Sequence, residues 1–414
     1  MTVTELRELL RNGENSGVEF KRDDVHPDSL AKEIAALANL EGGRILLGVE
    51  DDGSISGLTH TAKEAEAWVM NICRHHLQPP LIPYWETLVP EERQQIGVIA
   101  IPADCPDKPY KAKRGSAWVS FMHVGSTSRE ATRDEEARLY QASGLVRYDL
   151  RPVPGTTLQH LDRDRLENYF HTILQQDCPP VEDDEAWTRL LLNVDILGAD
   201  RGRAIPTVGG LLLFGENPNR YLPQSGITAT AYPDQDKEYA TVDEDLIRGP
   251  LVSSISRRGR ITEPGVIDRA VDFAARNMGT TAWLVKGRRR RKKAYTIEAV
   301  REAIVNAVAH RDYTIAITDI ELSLYSDRLE VISPGRLPNS VTVEKMKQGY
   351  RAARNELIKE ILRDYGYVEH RGMGVRNRII AGMREHNGTE PDLIEEESRF
   401  IVRLWKEKRP SSTS

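Results

Sequence analysis

An α+β chain of two modules is what this 414-residue sequence predicts. Three observations carry that expectation. At roughly 100–200 residues per domain the length suits two or three domains. Short stretches of alternating apolar residues are interleaved with amphipathic helical ones. The Pro- and Gly-bearing stretch Arg151–Thr157 separates two such mixed regions and reads as a linker.

Taken in order, Thr4–Arg11 has Leu6, Leu9 and Leu10 on one helical face, and Val18–Lys21 alternates as a strand. Asp28–Leu40 places Leu30, Ile34 and Leu37 at helical spacing, with Gly42-Gly43 beyond its end. Arg44–Val49 is an apolar strand closed by the turn Asp51-Asp52-Gly53. Ala62–His75 fits a helix; Gln95–Ile101 and Ala117–His123 fit strands. In the second region Leu161–Gln175 is helical. Val208–Phe214 reads as a buried strand, paired with Ile227–Tyr232. A long helical zone is expected over Asp243–Gly279, then an exposed basic loop over Lys286–Lys293. Thr296–His310 is a strong helix, followed by strands Asp319–Tyr325 and Arg328–Ile332. Helices Glu356–Tyr365 and Val375–Glu385 and a strand Arg399–Leu404 complete the pattern, and the tail RPSSTS is expected to be disordered.

The net charge of −6 excludes a polycation, so nucleic-acid binding has to come from local patches. The three cysteines, Cys73, Cys105 and Cys178, lack metal-knuckle spacing and suit a reduced, cytoplasmic setting. The segment MTVTELRELLRNGE has no apolar signal core, and no apolar run approaches a membrane span.

Glu14 and Glu19 flank a turn, and about thirty residues later a strand ends in Glu50-Asp51-Asp52. Neighbouring strand ends would gather these carboxylates, as a hard divalent ion (Mg2+ or Mn2+) acting on a phosphodiester requires, with Lys21 to neutralise phosphate. The alternative is a solvated set of turn acids. In the second region Glu302, Asn306 and His310 recur at i, i+4 and i+8, one face of a helix. A Glu base with a Mg2+-binding Asn one turn on can serve a triphosphate, and the turns at Gly335 and at Gly372-Met373-Gly374 could admit phosphates. The alternative there is a polar face with tight turns. Cations concentrate at Arg288, Arg289, Arg290, Arg291, Lys292 and Lys293, which suit phosphate contacts. Lys111, Lys113 and Arg114, near Tyr110 and Trp118, suit unstacked RNA bases. The adjacent pair His75-His76 points two ways on a helix and reads as structural.

The stretches ENSGVEFKR and ALANLEGGRILLGVEDDGSISGL, with Lys108-Pro109-Tyr110 and the strand ending His123-Val-Gly-Ser-Thr-Ser, resemble the Schlafen-type AlbA-like domain over roughly residues 5–140. The resemblance implies a metal site for cutting structured, tRNA-like RNA at Glu14, Glu19 and Asp51. The family's usual Asp after Gly48-Val49 is Glu50 here. Many relatives with the same acids are described only as DNA-binding or regulatory.

REAIVNAVAHRDY, DRLEVISPGRLP and EHRGMGVRNRI resemble, over about 160–405, the ATPase-like α/β sandwich related to gyrase, histidine kinases and MutL, in a degenerate form. The resemblance places Mg2+ and water at Glu302 and Asn306 and phosphate at Gly372 and Gly374. Ser333 stands near the family's adenine-reading Asp, and only Gly335 survives of that motif's glycines. The layout expected is therefore a nucleic-acid-handling module at 1–148, a linker at 149–160, a connecting region at 161–285, an ATPase-like module at 286–408 and a tail at 409–414. Three functions stay open: an endoribonuclease coupled to nucleotide sensing, an ATP-responsive DNA-binding transcriptional regulator, and a protein whose 243–279 helices assemble a homodimer or larger oligomer.

Overall fold

The computed structural model describes all residues except 41, 91–93, 104, 126, 144–146, 286–287, 338–341, 349–353, 369–372, 397 and 407–414. Its chain divides into two compact units, Met1–Val146 and Arg147–Ser414. No helix among the described residues is long and apolar enough to cross a membrane.

In the first unit α1 (Val3–Asn12) opens with a reciprocal cap: the Thr2 hydroxyl accepts from Glu5 N while the Glu5 carboxylate accepts from Thr2 N. Then come β1 (Val18–Lys21), α2 (Pro27–Asn39), β2 (Gly43–Leu47), α3 (Ala62–His75), β3 (Leu77–Gln78), β4 (Tyr84–Leu88) and β5 (Ile96–Ile101). β6 (Lys111–Arg114), β7 (Ala117–Val124), β8 (Thr127–Glu130) and α4 (Arg133–Ala142) finish the unit. One sheet runs β1-β2-β5-β4, with β1 parallel to β2; the other runs β3-β6-β7-β8 and is antiparallel. The buried side chains of α2 share one core with Ile45 and Ile99 of the first sheet and Ala112 and Phe121 of the second. Asn39 locks the helix end: its Nδ2 donates to Tyr110 O (2.8 Å) and Phe121 O (2.9 Å), and its Oδ1 accepts from Tyr110 N (2.7 Å). Helix α2 therefore sets both sheets around itself, and it carries one charged residue, Glu33, inside that packing.

The second unit starts earlier than the composition suggests. Residues 149–160, expected as a linker, fold into it: Asp149 is fully buried, and its Oδ2 accepts from Leu357 N at 2.7 Å. α5 (Arg163–Glu167) continues as a π-helical turn over Asn168–Ile173, and α6 (Asp184–Asn193), β9 (Leu197–Asp200) and β10 (Arg203–Pro206) follow.

Val208–Phe214 is a helix, α7, and not the expected strand. Thr207 caps it by accepting from Gly210 N (3.0 Å), and all seven residues are buried, so no amphipathic period separates it from a buried strand. β11 (Ile227–Ala231) pairs instead with β12 (Asp243–Ile247). The first half of the expected helical zone over 243–279 is thus not helix: after β12 come the short strands β13 (Ser254–Ile255) and β14 (Ile261–Glu263). Helix starts only beyond Pro264-Gly265, as α8 (Val266–Asn277).

The basic stretch is also not a loop. β15 (Thr280–Val285) and β16 (Arg288–Lys293) form an antiparallel ribbon in register from Thr280↔Lys293 to Val285↔Arg288, and Lys286 and Gly287 lie outside the described residues. α9 (Ile297–His310), β17 (Ile320–Leu324), β18 (Arg328–Pro334), α10 (Val343–Gln348) and α11 (Glu356–Asp364) follow. A π-helical stretch Val375–Ala381 runs into α12 (Gly382–Asn387), and β19 (Asp392–Glu396) and β20 (Arg399–Trp405) close the chain. The main sheet runs β12-β11-β17-β18-β20-β19, with only β11–β17 parallel. One continuous core, from Val153 to Leu404, joins α8 and α9 to that sheet, so 161–285 is part of the same folded body as 286–404.

Candidate functional sites

The alternation of β1 turns Glu19 inward, 4% exposed, between buried Val18 and Phe20. Its Oε1 takes the Lys21 ammonium at 2.5 Å, and Lys21 also lies 3.9 Å from Glu14 Oε1. Glu14, in the turn before β1, is held by Phe20 N, which donates to its Oε1 at 2.9 Å. Burial, opposed by the Lys21 bond, holds the Glu19 carboxyl above its ordinary range. Its second oxygen, Oε2, is buried without a hydrogen-bond partner.

Glu14, Glu19 and Lys21 are therefore neighbours, but Asp51 is not gathered with them. It is exposed on the Glu50–Ser54 turn, where Glu50 N donates to Ser54 O and Gly53 N to Glu50 O. Among the described residues the group with metal-ligand geometry is Glu19, Glu33 and His123, all buried, with donor atoms within 4.8 Å of one another. The fit to a divalent cation is good on one count: a buried anionic oxygen without a donor is costly to leave unmade. Sequence reasoning missed Glu33 and His123. The available signals were a charge on the apolar Leu30–Leu37 face of a helix and a histidine in phase with buried Phe121.

In the second unit Glu302 and Asn306 do share a face of α9, but the carboxylate is occupied by protein. Asn306 Nδ2 donates to Glu302 Oε1 at 2.9 Å, and Arg378 Nη1 approaches Oε2 at 3.5 Å. Gly374 is what admits that carboxylate, since a Cβ there would collide with it. Gly372 lies outside the described residues. His310, at the end of α9, is pushed down to about 4 by burial and then by Lys359 and Arg354, so it stays neutral. Ser333 turns inward, its hydroxyl donating to Ala307 O at 3.0 Å. Gly335 has φ +103°, and a side chain there would also strike Asp312 and Arg354, so both conformation and space require glycine.

The basic patch of the first unit is largely self-paired. Lys111 bridges to Glu136 (2.8 Å) and lies over the Tyr140 ring, Arg114 pairs with Glu130, and Lys113 lies 5.6 Å over Trp118. In the ribbon, Lys292 Nζ donates to His386 O and Lys293 Nζ to Ala275 O (3.3 Å).

Residues 14–132 match the family described as "Schlafen, AlbA_2", and residues 318–404 match "Putative ATP-dependent DNA helicase recG C-terminal". The two matches fall within the two stretches whose motifs carry the resemblances. Two solved structures are similar. The DIP2311 protein of Corynebacterium diphtheriae is 19% identical over 97% of this chain and 80% of its own, with a TM-score of 0.44. The N-terminal domain of a "Putative ATP-dependent DNA Helicase RecG-related Protein" from Nitrosomonas europaea is 23% identical over 32% of this chain and 94% of its own, with a TM-score of 0.25. No curated protein matches.

Proposed function

We propose that this protein binds nucleic acid and that its first unit is a divalent-metal-dependent endoribonuclease for structured, tRNA-like RNA, with a nucleotide-responsive second unit. The observation that carries the reading is the buried, unpaired Glu19 Oε2 beside Glu14 and Lys21, inside a Schlafen AlbA_2 match. Bound Mg2+ or Mn2+ would supply a polarised phosphoryl oxygen and an activated water. The chain's own part is to hold the cation with Glu19 and Glu14, assisted by Asp51 if its turn moves inward, and to offset charge on the scissile phosphate with Lys21. The ribbon cations Arg288–Lys293 add salt-sensitive phosphate affinity. ATP with Mg2+ belongs at Glu302, Asn306, Gly335, Gly372 and Gly374, as a binding signal with little turnover, because Glu302 is already engaged by Asn306 and Arg378.

One observation favours a second reading. A basic two-stranded ribbon fits the major groove of duplex DNA, which suits an ATP-responsive DNA-binding regulator without nuclease activity. Incubating the full chain with tRNA and with duplex DNA, with Mn2+, with Mg2+ and with EDTA, separates the two on a gel. Metal-dependent tRNA fragments support the nuclease. Intact tRNA alongside shifted duplex DNA overturns it in favour of the regulator.

A further inference from the structure

We infer that His123 is a ligand, through Nε2, of the same divalent cation as Glu19, and that Glu33 fixes the imidazole for that task through Ser128. The inference rests on the reading of Glu19 as a cation ligand and extends it to a side chain on the other sheet.

The hydrogen-bond chain sets the tautomer. His123 and Ser128 are directly opposite on β7 and β8, and His123 Nδ1 lies 2.9 Å from Ser128 Oγ. That hydroxyl gives its own proton to Glu33 Oε2, so toward His123 it can only accept. Nδ1 therefore carries a hydrogen, and Nε2 is the nitrogen turned toward Asn15 O and Glu19 Oε2. A carboxylate acting on the far nitrogen of a metal-bound imidazole is the usual means of orienting it, here with a serine interposed.

The polar neighbours of Nε2 among the described residues are acceptors. It faces the Asn15 carbonyl oxygen at 3.2 Å and Glu19 Oε2 at 3.9 Å. The His123 side chain is fully buried, and Glu19 Oε2 has no donor. Three lone-pair-bearing atoms converging in a buried space call for a positive centre among them. Metal–ligand bonds of about 2.0–2.2 Å place ligand atoms roughly 3–4 Å apart, the range seen here. Lys21 does not fill the place, because its ammonium is on the opposite oxygen, Oε1. One imidazole among oxygen ligands favours Mn2+, Co2+ or Zn2+ over Mg2+, which prefers oxygen alone. The competing occupant is a proton on Nε2, making a buried imidazolium between two glutamates.

Metal binding, read without any nuclease assay, decides between them. The full chain, stripped with EDTA, is titrated with Mn2+ and followed by EPR. One tight Mn2+ per chain is expected, displaced by Zn2+ at lower concentration than by Mg2+, with imidazole-nitrogen coupling in the pulsed spectrum. His123→Gln should weaken Mn2+ binding by about 100-fold or more and remove the coupling. Ser128→Ala, at a half-buried strand position that tolerates the change, should weaken it about tenfold. Unchanged Mn2+ affinity in both variants, or no Mn2+ bound by the wild type, overturns the proposal and leaves the proton as the occupant. Nitrogen-coupled Mn2+ binding in a protein that cuts no RNA would sink the nuclease reading and leave this one standing.

Discussion

Two buried glutamates on two units face opposite fates. Glu302 is surrounded by the protein's own donors, the Asn306 amide and the Arg378 guanidinium, and Gly374 closes on it. Glu19 has one oxygen paired with Lys21 and the other buried with no donor among the described residues. A satisfied buried carboxylate stabilises its fold; an unsatisfied one is a standing cost that folding alone does not repay. The difference marks unit 1 as the place where an outside cation would be bound most readily, while in unit 2 the Glu302 carboxylate is already engaged.

The sharpest way to break that comparison is Glu19→Gln. Metal-dependent RNA cleavage should fall by at least about 100-fold while nucleic-acid affinity holds, since the amide cannot serve as an anionic ligand but the cations remain. The same variant should be more stable at neutral pH. The folded state binds the Glu19 proton more tightly than the unfolded chain does. Its contribution is therefore complete below the ordinary glutamate range and is lost as pH rises through the raised value. A permanently neutral amide avoids that loss, so its thermal midpoint should exceed the wild type's at pH 7 and converge with it on acidification. A lower midpoint at pH 7 would mean that Glu19 is as well satisfied as Glu302.

A smaller effect is expected from the ribbon. Changing Arg288–Arg291 to serine should reduce the slope of log affinity against log salt by about 0.9 for each duplex phosphate no longer neutralised. An unaltered slope would assign the ribbon to a protein partner.

The smallest effect concerns unit 2. ATP with Mg2+ should raise its melting midpoint; at a hundredfold excess over Kd the gain is about 2.7 kcal/mol, or several degrees. Asn306→Ala should remove that shift. A shift that survives Asn306→Ala places the nucleotide elsewhere, and no shift at millimolar ATP would overturn a nucleotide role for Glu302 and Asn306.

Much of the fold was legible because amphipathic period and caps agree. Ala62–His75 and Thr296–His310 each have a capping threonine that fixes a boundary. Legibility failed where burial was complete or where pairing was remote. α7 is apolar all round, so its period carries no sign of helix. β12 owes its strand state to β11, and β16 is a strand only because β15 lies beside it, a pairing that no local run of arginines announces. The site divides in the same way. Glu14, Glu19 and Lys21 are close in sequence and could be read together. Glu33 and His123 are 90 residues apart, and only the docking of α2 between the two sheets brings them to Glu19.

The buried Asp149 has a practical consequence for anyone cutting the chain in two. Its carboxylate receives the first turn of α11, and α11 packs on α9, the helix that bears Glu302. A fragment begun at residue 161, where composition would put the boundary, starts without that anchor and leaves helix donors bare inside a dry core. A fragment begun at Arg147 keeps it. The chain from Arg147 on is thus no slack tether: within two residues it is fastened by the Asp149 carboxylate to α11, and Arg151 O then accepts from Val208 N. Any pull on the chain there would be felt early at α11, which packs on the helix that bears Glu302.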